Sequence, residues 1–313
     1  MPINIKREVL EEFSHFELLA KQVVEGFITG MHKSPFHGFS VEFAEHKLYN
    51  KGDSTRHVDW KLFARTEKLF IKRYEEETNL RCQIIIDDSA SMLYPTSNEN
   101  TSLQQLNKLG FSALAAAAIM HLMKSQQDAC GLHLYSEDIE QQFQAKSSGA
   151  HFKNLYSGLE LLMKKKMSQS PSSTSIVKSI HHIAETLPRR SLIILFTDLY
   201  DSTENLEAIF NALLHLRHNK HEVILFHTTS NKTELNFDFV SGPHTFVDIE
   251  TKEEIKLNPA QVKDLYLKEY NSFLLDIKNK CFEAKIDLVE ANIDQGFDTV
   301  LKSYLIKRKT MLR

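Results

Sequence analysis

From Arg81 onward the chain alternates short, mostly apolar runs with longer segments of helical spacing, and this alternation limits it to one fold class. Apolar runs lie at 82–87, 130–135, 192–196, 223–227 and 286–290, and the 192–196 run holds no polar residue. Strands of this kind are buried on both faces, and when helices separate them they pair in parallel through right-handed crossovers. Helical periodicity is predicted over 103–124, 152–165, 176–187, 206–218, 261–282 and 297–307, with a short edge strand at 139–144 and a β-like run at 245–249. The expected architecture over 81–313 is α/β: a doubly wound, mostly parallel sheet in a Rossmann-type three-layer domain. Such sheets bind ligands beyond the carboxyl ends of their strands.

Residues 1–80 read as an N-terminal helix followed by an extension. Val9, Leu10, Phe13, Phe16, Leu19, Val23, Val24 and Phe27 form one stripe, which predicts a helix over 6–29 that Gly30 stops. Residues 30–80 carry Gly30, Gly38, Gly52, the single Trp and two alternating runs at 39–43 and 69–74. They predict a compact piece of short strands and turns.

Charge and cysteine content exclude several classes. The net charge is −3 and basic runs are short, so no nucleic-acid partner is expected. Cys82, Cys130 and Cys281 are odd in number and form no C-x-x-C, which argues against disulfides and zinc; they read as small buried hydrophobes. No signal-peptide core follows Met1–Arg7, and the longest apolar stretch, 111–123, is interrupted by Ser112 and too short to span a bilayer. A cytoplasmic location without a membrane span is expected.

The chemistry concentrates at the end of the 82–87 strand. Asp87 is followed by hydroxyls at Ser89 and Ser91. In a tight loop these oxygens converge on one point, and an all-oxygen set suits a hard cation, Mg²⁺ or Mn²⁺. The reading without a metal is a turn with local side-chain to backbone hydrogen bonds. Asp87-x-Ser89-x-Ser91 resembles the metal-ion-dependent adhesion site of von Willebrand factor A domains. The resemblance implies two further ligands: Thr174, in the Ser-rich loop before the 176–187 helix, and Asp198, after the 192–196 strand. Two positions depart from that pattern, Leu199 and Ser173, where the family favours glycine. Asp88 and Asp201 add charge nearby.

The extension narrows the resemblance. Gly52-Asp53-x-x-Arg56-x-x-Asp59-Trp60, with a Glu-Phe segment before it and Ala64-Arg65 after it, resembles the bacterial family known as domain of unknown function 58, in which this motif precedes an A-like domain. That family accompanies MoxR-type AAA+ ATPases, which implies an adaptor or co-chaperone role toward client proteins. Asp53, Arg56, Asp59 and Arg65 read first as a polar network tying the extension to the body, with Trp60 as its packing anchor, and second as a partner interface. His181, His182, His215, His218 and His221 lack paired ligand spacing and read as surface residues.

Two functions follow. The first is a non-enzymatic, metal-dependent protein-interaction module, whose metal accepts a carboxylate from a protein partner. The alternative is a Mg²⁺-dependent hydrolase using the same strand-end site. No G-x-x-x-x-G-K-[ST] or G-x-S-x-G occurs, and Ser89 stands where a haloacid-dehalogenase-type phosphatase needs a second Asp. These features favour the module.

Overall fold

The computed structural model describes residues 17, 20, 21, 24, 41–49, 58–76, 80–95, 106–135, 139–164, 176–200, 203–249 and 252–295. Asp53, Arg56, Thr174, Asp201 and the helix predicted at 297–307 lie outside them. The chain divides into two compact units, one of residues 34–80 and one of 1–33 together with 81–313.

The smaller unit is a strand pair with a short helix between. Strand β1 (Val41–Leu48) runs antiparallel to β2 (Phe70–Glu76), with a register shift between Phe43 and Glu45. Helix α1 (Trp60–Thr66) joins them. Its first turn is held by Asp59, whose Oδ1 accepts from the backbone N–H groups of Lys61 and Leu62 at 3.0 Å each. A carboxylate at this position satisfies two of the amides that every helix start leaves unpaired.

The larger unit holds a six-stranded sheet. In chain order its elements are β3 (Arg81–Asp87), α2 (Lys108–Ser125), β4 (Ala129–Tyr135), β5 (Ile139–Lys146), α3 (Gly149–Lys164), α4 (Ile176–Thr186), β6 (Leu192–Thr197), α5 (Thr203–His218) and β7 (Glu222–Thr229). A small antiparallel pair follows, β8 (His244–Val247) and β9 (Glu254–Leu257), then α6 (Pro259–Glu283) and β10 (Asp287–Asn292). The sheet order is β10-β7-β6-β3-β4-β5, parallel throughout except for the antiparallel edge strand β5. The doubly wound α/β fold expected from the sequence is the one observed.

Both faces of the sheet are covered. Ile85, Ile193, Leu195, Val223 and Leu225 pack on one side with residues of α4, α5 and α6. On the neighbouring positions Phe196 stacks on Phe226 at 4.7 Å between ring centroids. Ile84, Ile85 and Ile86 are all fully buried, and each contributes roughly 2 kcal/mol through the apolar area removed from water. Helix α2 is buried continuously from Lys108 to Met120, as a helix that is apolar on every side must be.

The N-terminal segment belongs with this body. Glu17, Ala20, Lys21 and Val24 are helical, Ala20 and Val24 are buried, and Glu17 pairs with Lys124 of α2. All three cysteines are free and buried, as the sequence suggested. The histidines are not all at the surface. His221 is fully buried and its Nδ1 accepts from Ser191 N–H, while His181 and His215 form a half-buried pair with Nδ1 atoms 3.1 Å apart. No helix among the described residues is long and apolar enough to cross a membrane.

Candidate metal-binding site

The strand order places the site. From β3 the chain moves outward to β4 and β5, then returns to β6 on the other side of β3 and continues to β7 and β10. The loops leaving β3 and β6 therefore diverge to opposite sides. Between such loops a doubly wound sheet opens its ligand crevice. Asp87 is the last residue of β3, and Asp198 follows the last residue of β6.

Local geometry brings the loop oxygens together. After Asp87 the backbone stays extended through Ser89, then closes into the 3₁₀ turn Ala90–Leu93. Asp87 Oδ1 accepts from Ser89 N–H at 3.0 Å, which curls the loop back over the strand end. Met92, fully buried, pins the turn from below, and Thr228 Oγ1 donates to its sulfur. The result is a chain of three oxygens: Ser89 Oγ lies 3.0 Å from Ser91 Oγ, and Ser91 Oγ donates to Asp198 Oδ1 at 3.2 Å.

Thr197, the last residue of β6, links the two carboxylates. Its Oγ1 donates to Asp87 Oδ2 at 2.7 Å and accepts from Leu199 N–H at 3.0 Å. Tyr200 N–H donates to Asp198 Oδ1 at 3.1 Å. His227 of β7 holds the backbone of Asp198, its Nε2 lying 3.0 Å from the carbonyl oxygen. A carbonyl only accepts, so Nε2 carries the proton. Burial pulls His227 down to about 4, which keeps the ring neutral.

The electrostatics of the two carboxylates differ. Burial, then the neighbouring Asp198, push Asp87 up to about 6. Burial acts on Asp198 in the same direction, but Lys108 overcomes it and holds that carboxyl below its ordinary value. Lys108 Nζ lies 2.9 Å from Asp198 Oδ2 and 2.5 Å from Glu234 Oε1. Burial alone would lower the lysine; Asp198 and Glu234 outweigh it and raise it, so it is an ammonium. The site thus has one compensated carboxylate and one that lacks a cation.

The donor set fits a small hard cation. Oxygen ligands held at about 2.1 Å by an octahedral Mg²⁺ sit roughly 2.9 Å apart along each edge. The Ser89–Ser91 and Ser91–Asp198 separations of 3.0 and 3.2 Å are close to that spacing. Asp87, Ser89, Ser91 and Asp198 keep 5–8% of their surface exposed, so the oxygens are sheltered without being sealed. Among the described residues no group of three or more His, Cys, Asp or Glu side chains is arranged to hold a metal, which leaves the mixed carboxylate–hydroxyl set as the candidate.

Four of the five expected ligand residues, Asp87, Ser89, Ser91 and Asp198, therefore meet; Thr174 lies outside the described residues. Asp88 is buried beside them. Sequence reasoning missed Lys108, Glu234 and His227, and gave Thr197 no role beyond its place in the Thr-Asp pair that resembles A domains. A signal existed for Lys108, the one charged residue in the buried stretch of α2. In the smaller unit, Asp59 caps α1 and Arg65 lies in its last turn. Within the smaller unit the Trp60 ring meets Phe63 edge-on at 6.2 Å. Trp60 is the first residue of α1, directly after the capping Asp59.

Comparison with known proteins gives a family and several broad likenesses. The family model described as "Protein of unknown function DUF58" matches residues 45–272. Uncharacterised proteins of Mycobacterium bovis and Mycobacterium tuberculosis are 31% identical over 106 residues, which is 34% of this chain and 31% of theirs. The match thus spans about a third of the length of these curated relatives. Among solved structures, an aerotolerance-related membrane protein from Bacteroides fragilis has a TM-score of 0.44 at 13% identity, covering 74% of this chain and 99% of that one. The conserved hypothetical protein BatB from Bacteroides thetaiotaomicron scores 0.42 at 11% identity, with coverage of 74% and 99%. The VWA domain of SpRpn10 scores 0.37 at 11%, with coverage of 72% and 94%.

Proposed function

The chain belongs to the DUF58 family of proteins of unknown function, and we propose that it is a cytoplasmic, non-enzymatic module that binds a protein partner through a divalent metal. One observation carries this reading. Two loops far apart in sequence gather the Ser89, Ser91 and Asp198 oxygens into one hydrogen-bonded group at the ends of β3 and β6, an all-oxygen set of the kind a hard cation takes. Asp87, Ser89, Ser91 and Asp198 would hold Mg²⁺ or Mn²⁺, with Thr174 as the further ligand that the resemblance to A domains implies. When bound, the metal supplies positive charge that neutral hydroxyls leave under-compensated, and a carboxylate from a partner completes it. The resemblance carried by the extension motif points to a MoxR-type AAA+ ATPase or its client as that partner.

The residues of the chain do the positioning. Thr197 orients Asp87, His227 fixes the backbone of Asp198, and the 3₁₀ turn presents both serines. The test is thermal melting after EDTA treatment, then with added Mg²⁺ or Mn²⁺. A ligand that binds only the folded state at a hundred times its Kd adds about 2.7 kcal/mol, or roughly 5–10 °C for a domain of this size. The rise is expected in the wild type and absent in Asp87→Ala. Equal rises in both proteins would remove the metal from the account.

A further inference from the structure

Lys108 is the least expected residue of the site. It opens α2 and is only 2% exposed. A buried ammonium is costly unless charges and hydrogen bonds compensate it. At a helix N-terminus it also opposes the helix dipole, so it gives the helix no stability. Its compensation comes from elsewhere: Asp198 Oδ2 at 2.9 Å and Glu234 Oε1 at 2.5 Å, with the Tyr94 ring 5.8 Å away.

The two carboxylates differ in what else they hold. Asp198 also faces the candidate site, through Oδ1 and Ser91. Glu234 is bound instead to the turn after β7, where its Oε2 accepts from Ser230 N–H at 2.7 Å. That turn is fastened in its own right, because Asp294 Oδ2 accepts from Ser230 Oγ and from Lys232 N–H at 3.1 Å each. Glu234 is thus a fixed seat for an ammonium, and Asp198 is a ligand shared between a tethered cation and a free one.

We propose that Lys108 is a built-in counter-cation that competes with the divalent metal for Asp198, with Glu234 as the seat that keeps the ammonium when Asp198 turns to the metal. This rests on the metal reading above and adds its regulation. With Asp87 and Asp198 negative, the Lys108 ammonium offsets part of the site's negative charge. The device keeps metal affinity low, so that stable filling needs the partner's carboxylate as well.

The test is calorimetric titration of the full chain with Mn²⁺ in three forms: wild type, Lys108→Met and Glu234→Gln. Lys108→Met keeps the length of the side chain and removes the charge; a unit charge removed at this range is expected to tighten binding about tenfold or more. Glu234→Gln removes the second seat, so the ammonium leans wholly on Asp198 and binding weakens several-fold. Structural damage would weaken both variants; competition moves them in opposite directions. Binding by Lys108→Met where the wild type shows none supports the proposal in its strongest form. A cooperatively melting Lys108→Met that binds no tighter than wild type overturns the competition and leaves the metal reading intact. If Lys108→Met does not fold, Glu234→Gln decides, and unchanged or tighter binding overturns the proposal. No binding by any of the three proteins removes both readings.

Discussion

Leu199 adopts φ 51°, a left-handed backbone that costs a leucine about 1–2 kcal/mol, and its side chain is 2% exposed within the core under α4 and α5. The residue follows Asp198, where the A-domain pattern favours glycine, and the structure supplies the reason: this loop needs positive φ to turn Tyr200 N–H back onto Asp198. Leucine meets the requirement by adding buried area that offsets the strain. The usual ranking of truncations should therefore invert here. Leu199→Ala loses the area and keeps the strain, whereas Leu199→Gly loses the area and relieves it, so the glycine variant is expected to be more stable by about 1 kcal/mol in urea unfolding. Elsewhere in a strand or helix the order would be reversed. At this scale the sequence was legible where a motif existed, at Asp87, Ser89, Ser91 and Asp198. It was silent on Glu234 and His227, because nothing local marks a residue whose role depends on a neighbour brought in by another strand.

Gly131 shows how tightly β4 is fitted between its neighbours. A Cβ built there would lie 2.1 Å from Gln83 Oε1, 2.5 Å from Phe143 O and 2.9 Å from Ala145 N. The side chain of Gln83 could move, but the two backbone atoms of β5 cannot without breaking its pairing, which already shifts register between Cys130 and Leu132. Gly131→Ala is expected to lower the unfolding free energy by about 2–3 kcal/mol, measured by urea denaturation, and Gln83→Ala should not rescue it. The long elements were readable from their apolar runs, which β3, β6 and α2 bury almost throughout. The short ones were not: α1 has seven residues and β9 four, and both are specified by capping and by pairing across a turn. Asp59 stands in a motif of the sequence, yet its capping of α1 follows only once the helix is known to begin at Trp60.

His133 is pulled down to about 4 by burial, then by His182, from an ordinary 6.5, and its ring faces Gln83 Oε1 at 2.9 Å. A histidine that is harder to protonate when folded contributes stability that is complete above 6.5 and lost as the pH falls toward 4. The loss is at most about 3 kcal/mol, at roughly 1.4 kcal/mol per pH unit. Asp87, raised toward 6, acts with the opposite sign, so the comparison must be between proteins. Urea unfolding at pH 7 and pH 5 is expected to show a smaller acid loss in His133→Gln than in wild type; equal losses would show that His133 does not carry the effect. For the molecule as a whole, the alternation of elements was enough to fix the class of sheet but not its strand order. The grouping of residues 1–33 with 81–313 rests on contacts that join distant parts of the chain. Strand order has a further consequence. Ser91 and Asp198 are 107 residues apart and meet only when β6 has come home beside β3. Whatever settles between them acts as a clasp across the midline of the sheet, drawn shut only after the chain has doubled back. An occupied site would then slow the exchange of amide hydrogens along β3 and β6 together, while the outer strand β5 goes on breathing as before.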